Sequence, residues 1–186
     1  MSVSKIEIIN LALSEIGESG IMSLTDRSRR AAIATQNYDV IRRSLIRKFE
    51  FNFSIKRKLL APLVEKPEFD FTTQYLLPND FIKVAETNTL FKHKIEGRRL
   101  FSNLAEPFPL VYVADIEDPA MFDSIFVELF ALTLAEIIVE PLTQSNTKKQ
   151  LIREKLISLN LDAGINDGIE NSSLELTDTP WVTGRN

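Results

Sequence analysis

Apolar residues recur every three or four positions near both ends of the chain, which is the spacing of one face of an α-helix. The pattern predicts four helices, over about residues 4–16, 26–49, 119–140 and 145–163. Gly17 follows the first helix as a stop signal, and Asp118-Pro119 opens the third as an N-cap and a first-turn proline. Because the third helix is apolar nearly all round, we expect it to be the most buried element.

The pattern changes over about residues 70–114, where short aromatic and β-branched runs alternate with turn-forming residues. The stretch QYLLPNDFIKV indicates a strand, a tight turn and a second strand, because Pro78 fixes its own φ and makes its predecessor extended. We assign the insert corner to Tyr75, Leu77, Pro78 and Asp80. As a hairpin-like corner it either completes the core or projects from the helices to make contacts.

These elements together predict a mainly α fold: an antiparallel bundle of about four helices with a small β insert in the middle and an extended C-terminal tail. One domain is expected over residues 1–170, followed by a flexible tail over residues 171–186. The tail is polar, with a few apolar anchors such as Trp181. Such a segment orders on binding a partner or folds back on its own bundle.

Several kinds of chemistry are excluded by the residue types present. The 186 residues include no cysteine and a single histidine, His93, so neither a thiolate metal site nor a histidine-based metal site or triad is expected. The six glycines match neither a dinucleotide fingerprint nor a phosphate loop. The N-terminal residues are too polar for a signal or membrane segment. We therefore predict a protein that is not an enzyme, with no catalytic residue, cofactor, metal or membrane partner.

The net charge of −4 is unevenly distributed along the chain. Residues 26–58 are mostly basic, whereas residues 115–140 carry seven carboxylates and no lysine or arginine. The two regions either form solvated faces and contacts within one fold, or serve copy-to-copy contacts or nucleic acid. Adjacent cations are costly to bury, so Lys56, Arg57 and Lys58 are predicted at a channel or subunit boundary, or on a plain exposed edge.

The chain resembles the tail tubular protein A family, the head-to-tail connector (adaptor) proteins of short-tailed phages. The resemblance lies in the order of four segments: INLALSEIG, SLTDRSRRAAIATQNYDVIRRSLIRKFEFNFSIKRKLLA, YLLPNDFIKV and LVYVADIEDPAMFDSIFVELFALTLAEIIVEPLTQSN. It covers about residues 9–167. The family's W-N-F-A pattern occurs with Phe51 at the usual tryptophan and Ser54 at the usual alanine. Its terminal W-x-x-R pattern occurs as Trp181 to Arg185, with one extra residue.

The resemblance implies a structural virion protein, made in the cytoplasm of a bacterial host and encoded by a phage or prophage. The family assembles as a ring, expected to be a dodecamer, between the portal protein and the tail nozzle, a tail tubular protein B-like partner. The ring extends the channel through which genomic DNA passes without its sequence being read. Four residues are expected to dock the tail in the portal: Leu174, Leu176, Trp181 and Arg185.

Two other functions stay open at this point. The first two helices resemble a helix-turn-helix DNA-binding regulator, because Arg27, Arg29 and Arg30 open the second helix. Against it, the connection over residues 17–25 is long for that motif. A tail-associated cell-wall or glycan hydrolase would need a carboxylate pair, for which Glu117-Asp118 is a candidate.

Overall fold

The computed structural model describes residues 3–85 and 91–170, with side chains described as far as Leu159. Within these residues lie four α-helices: α1 (Lys5–Glu15), α2 (Arg29–Lys48), α3 (Ser124–Thr143) and α4 (Asn146–Glu170). The same residues contain six strands: β1 (Ile55–Leu60), β2 (Thr73–Leu76), β3 (Phe81–Val84), β4 (His93–Glu96), β5 (Arg99–Ser102) and β6 (Phe108–Ala114). Short 3₁₀ turns at Asn52–Ser54 and Pro119–Met121 connect the helices to the strands.

The strands form two three-stranded antiparallel sheets in the described part of the chain. In the first sheet β6 lies between β1 and β3, and in the second β5 lies between β2 and β4. The chain leaving β1 runs along the edge of β2, where Pro62 bridges to Tyr75 and the Leu63 N–H donates to the Gln74 carbonyl at 2.9 Å. The two sheets are therefore connected by backbone hydrogen bonding as well as by the chain.

The prediction of a mainly α helical bundle is wrong, because the protein has a mixed α and β fold. The strands are not an insert on a separate bundle, since one buried cluster includes Phe130 of α3 together with Tyr75, Phe108 and Val113 of the sheets. The β region also begins well before residue 70, because β1 pairs along its whole length with β6. Part of the core thus comes from strands too short to dominate a hydrophobic pattern.

The stretch QYLLPNDFIKV contains the two expected strands, but they do not form a hairpin. β2 pairs with β5 and β3 pairs with β6, so the turn between them takes the chain from one sheet to the other. Among the described backbone hydrogen bonds, one closes the turn itself: the Phe81 N–H donates to the Pro78 carbonyl at 3.2 Å. The insert corner is therefore a connection between sheets.

Two helices begin later than predicted, because a capping residue further along the chain defines the start of each. α2 begins at Arg29 because the Ser28 side chain accepts a hydrogen bond from the Ala31 N–H. α3 begins at Ser124, since Asp118-Pro119 starts the separate 3₁₀ turn and Asp123 caps the helix. α3 also continues through Pro141 to Thr143, and α4 extends to Glu170 rather than ending near residue 163.

The connection between α1 and α2 is fixed by a side chain. The Asn10 amide donates to the Ile21 carbonyl at 3.1 Å and accepts from the Ile21 N–H at 2.7 Å. Gly20 leaves room for this side chain, because a Cβ at position 20 would lie 3.0 Å from it and force a small shift. Gly17 ends α1 with a φ of +73°, as predicted. The result is a long, clamped connection instead of the short turn of a helix-turn-helix.

α3 is the central helix, as its apolar sequence predicts. It packs against α1, α2 and α4, and its buried side chains occur on all sides of the helix, whereas those of α1 and α2 follow one face. α2 makes the main contact between the helices and the first sheet, where it lies against β3 and β6. The two layers therefore meet along α2.

A buried ion pair joins α2 to the end of β6. Arg42 is 2% exposed, and its guanidinium donates to the Asp115 carboxylate and to the Ile116 carbonyl. The exposed Arg43 contributes a second contact to Asp115 at 3.2 Å. The sequence left two interpretations of the charge pattern open. For Asp115 the first applies, because this acidic residue pairs with arginines of the basic region within one subunit. Lys83 and Glu50, 2.7 Å apart, add a further ion pair between α2's C-terminal end and β3.

We expect Arg42→Ala to lower the free energy of unfolding by about 3 kcal/mol, because the buried Ile116 carbonyl loses a donor and the largely buried Asp115 carboxylate loses its buried partner. Urea unfolding followed by circular dichroism measures the change. Arg43→Ala removes an exposed partner of the same carboxylate and is the control, with an expected cost below about 1 kcal/mol. Equal losses in the two variants would contradict the assignment of Arg42 as the buried partner.

Candidate functional site

The insert corner is held from the turn between β4 and β5. The Arg98 guanidinium donates to the carbonyls of Leu77 and Pro78, at 3.4 and 2.9 Å, and to the Asn79 side-chain oxygen at 3.1 Å. Arg98 can reach these acceptors because the two-residue turn that it shares with Gly97 places it beside the corner, and Gly97 supplies the positive φ of +59°. The corner is thus fixed by a residue that the sequence analysis did not single out.

Asp80 connects the corner to both neighbouring strands. Its carboxylate accepts from the Lys56 ammonium of β1 at 2.8 Å and from the Tyr112 hydroxyl of β6 at 3.0 Å. Its backbone carbonyl accepts from the Asp115 N–H at 2.7 Å. The structure therefore brings together one predicted corner residue, Asp80, and one predicted boundary residue, Lys56.

The electrostatics of this cluster are those of a structural site. Burial by itself raises the pKa of Asp80, but the hydrogen bonds from Lys56 and Tyr112 outweigh burial and hold that pKa below its usual value. Burial and the Asp80 carboxylate raise the pKa of Tyr112 to about 12. The carboxylate stays ionised and the phenol stays protonated at neutral pH, so neither group is poised as a general acid or base.

The other predicted corner residues are buried. Tyr75 packs its ring 5.6 Å from that of Phe108, and its hydroxyl donates to the Leu104 and Glu106 carbonyls. Leu77 and Pro78 are buried as well. Tyr75, Leu77 and Pro78 therefore complete the core, which is the first of the two interpretations of the corner.

The predicted cations at positions 56–58 lie on an edge strand that is uncovered on both faces. Lys56, Arg57, Lys58 and Leu59 are all exposed, although successive side chains of a strand point to opposite faces. Neither Arg57 nor Lys58 forms an ion pair with any residue that the structure describes. β1 pairs with β6 on one side, and its outer backbone edge has no strand partner among the described residues.

Large apolar side chains accompany these cations. Leu59 is 69% exposed, and in the loop that follows β1 Phe69 is 77% exposed and Val64 is fully exposed. We call residues 56–59 the exposed edge. An open strand edge that carries an uncovered apolar side chain such as Leu59 is typical of a surface that another polypeptide covers.

The acidic region keeps charges that the fold does not neutralise. Asp115 is paired as described above. Glu136 lies 3.9 Å from Arg153, and Glu140 forms an ion pair with Lys149. In contrast, Glu117 and Asp118 are exposed and form no ion pair within the described residues. Asp118 instead caps the 3₁₀ turn by accepting from the Ala120 N–H at 3.0 Å, which is a structural role for a member of the candidate hydrolase pair.

The four predicted portal-docking residues, Leu174, Leu176, Trp181 and Arg185, lie outside the described residues. The described residues contain no group of three or more His, Asp or Glu side chains that could hold a metal ion. No helix in the described ranges is both long and apolar enough to cross a membrane. No protein-family model matches the chain, and no curated protein matches it in sequence.

We expect Asp80→Asn to lower the free energy of unfolding by about 1 kcal/mol at pH 7, because a charge-assisted hydrogen bond is lost at a partly exposed site. A carboxyl with a depressed pKa stabilises the fold above its unfolded-state pKa, and this contribution is lost as the pH falls through the folded-state value. The difference between wild type and variant should therefore shrink below about pH 4.

Urea unfolding at pH 7 and at acidic pH measures this difference. Glu68→Gln is the control, because Glu68 is an exposed carboxylate without an ion pair among the described residues. A difference between wild type and Asp80→Asn that stays constant with pH would contradict the role assigned to the Asp80 carboxylate.

Proposed function

We propose that this chain is a head-to-tail connector (adaptor) protein of a short-tailed phage or prophage. It assembles as a dodecameric ring under the portal protein, extends the DNA channel and presents an attachment platform for the tail nozzle protein. The observation that carries the proposal is the exposed edge, where the part of the chain that the structure describes leaves a strand uncovered on both faces and along its outer backbone. A subunit whose surface is completed by its neighbours has such an edge.

Charge supports a contact between copies in which different surfaces meet. The cations Arg57 and Lys58 lie on β1, whereas the carboxylates Glu117 and Asp118 follow β6 on the way to α3, and none of the four forms an ion pair within the described ranges. A patch of one sign on one element and of the other sign on a different element favours head-to-tail contacts. Head-to-tail contacts generate a ring when the rotation between subunits closes.

Cations at the subunit boundary also suit the passage of genomic DNA. Lysine and arginine side chains attract the phosphate backbone without reading bases, and this attraction weakens with salt. The proposal places the protein in the virion neck after its synthesis in the bacterial cytoplasm. The tail residues Leu174, Leu176, Trp181 and Arg185 are proposed to bind the portal.

The geometry favours the connector over the two alternatives. A helix-turn-helix regulator needs a short turn before its recognition helix, whereas Asn10 clamps a connection that extends from Ile16 to Ser28. A glycan hydrolase needs two carboxyl groups facing each other across a substrate site. Glu117 and Asp118 are adjacent and exposed, and the second is used as a cap.

The test is the sedimentation of the purified chain alone and after mixing with the portal ring encoded in the same genome. We expect a small species that adds to the portal in a fixed ring stoichiometry. Arg57→Glu/Lys58→Glu should weaken this addition by about tenfold or more, because two rim charge contacts become repulsive. The added substitution Glu117→Arg should partly restore binding by re-creating opposite charges.

Lys66→Glu/Lys92→Glu is the matched control, since it makes the same change in net charge at two exposed lysines outside β1. If the control weakens addition as much as the β1 variant, net charge and not the exposed edge is responsible. A wild-type chain that ignores the portal but shifts duplex DNA in a salt-dependent gel assay would replace the connector with the regulator.

A further inference from the structure

An open apolar groove of about 730 Å³ lies between α1, α3 and α4. Its apolar lining comes from these helices and from the segments that lead into them: Val3, Leu11, Phe122, Val127, Leu132 and Leu159. Leu11 on the groove wall is 48% exposed. Apolar surface in a concave site is unfavourable in water, so a groove of this kind is a place where an apolar side chain gains free energy by binding.

The charges around the groove leave one carboxylate without a partner. Glu15 of α1 and Lys155 of α4 both line the groove and neutralise each other at 2.8 Å. Glu128 of α3 lines it too, is exposed, and forms no ion pair with a residue in the described parts of the chain. The groove therefore fits an occupant that combines a large apolar side chain with a nearby cation.

We propose that residues 171–186 of the same chain occupy this groove in the free subunit, with Trp181 in the apolar part and Arg185 beside Glu128. This segment has the required chemistry: Trp181 is the only tryptophan of the protein, and Arg185 is the only cation after Glu170. Tryptophan gives a large apolar area to such a contact. The proposal concerns the isolated chain and does not rest on the connector function.

The length of the chain allows this return. α4 itself forms one wall of the groove and ends at Glu170, eleven residues beyond Leu159, which is about 17 Å along a helix axis. Residues 171–181, which lead from the end of α4 to Trp181, are also eleven in number and span up to about 36 Å when extended. A tethered segment with this reach has an effective concentration in the millimolar range, so a weak contact suffices to fill the groove.

The test uses the full-length protein and the fluorescence of its single tryptophan. In the wild type we expect Trp181 emission shifted to the blue of a solvated tryptophan, with slow quenching by acrylamide. Leu11→Asp places a charge on the groove wall at a half-exposed site, and Glu128→Lys repels Arg185. Both variants should shift the emission to the red and accelerate quenching, with unchanged far-ultraviolet circular dichroism.

Ile157→Asp is the matched control, because Ile157 is an exposed apolar residue of α4 that does not line the groove. It should leave the emission unchanged. A solvated, readily quenched Trp181 in the wild type would overturn the proposal. Protection that neither groove variant relieves would place the segment elsewhere and also overturn it. Protection lost on dilution would identify a second copy as the occupant. None of these fluorescence experiments includes the portal protein, so their outcomes do not test the connector function.

Discussion

The fold depends on one guanidinium group placed between the helices and the first sheet. Arg42 is buried, and its charge is compensated by the Asp115 carboxylate and the Ile116 carbonyl at the end of β6. A buried cation of this kind tolerates few alternative positions for its helix, because any rotation of α2 leaves charge without a partner. The same orientation brings Arg47 to the Ile82 carbonyl, at 2.8 Å, and Glu50 to Lys83. The helices and strands are thereby held in one arrangement.

The exposed edge follows from that arrangement. β6 is fixed to α2 at its C-terminal end, and β1 pairs with β6 along its length but extends where no helix covers it. Lys56 is held by Asp80, whereas Arg57 and Lys58 have no such partner among the described residues. The result is a strand that is hydrogen-bonded to β6 and presents charge and apolar surface outward. Because its backbone is already ordered by this pairing, a partner that covered the surface would fix little additional backbone conformation.

The sequence pattern predicted the helices well and the sheets poorly, and the reason is the range of the interactions. The spacing of Ile9, Leu13 and Ile16 reports a local period, so α1 could be placed from it. The pairing of β2 with β5 and of β3 with β6 is nonlocal, and nothing in QYLLPNDFIKV shows that its two halves belong to different sheets. Arg42 was counted only as one of the cations of the basic region 26–58, because the partner that marks it as buried lies 73 residues away. The site was partly visible: three adjacent cations indicated a boundary or an exposed edge, but nothing in the pattern indicated that the apolar Leu59 beside them is exposed.

The central position of β6 also determines when the protein can fold during synthesis. In the described chain β1 and β3 pair in the first sheet only with β6, and Arg42 meets its partner just after that strand. A ribosome has therefore made more than half of the chain before the first sheet can close. Until then β1 and β3 lack their partner in the first sheet, and folding depends on contacts of large sequence separation, which form slowly. The nascent chain must therefore avoid aggregation until β6 (Phe108–Ala114) has emerged from the ribosome.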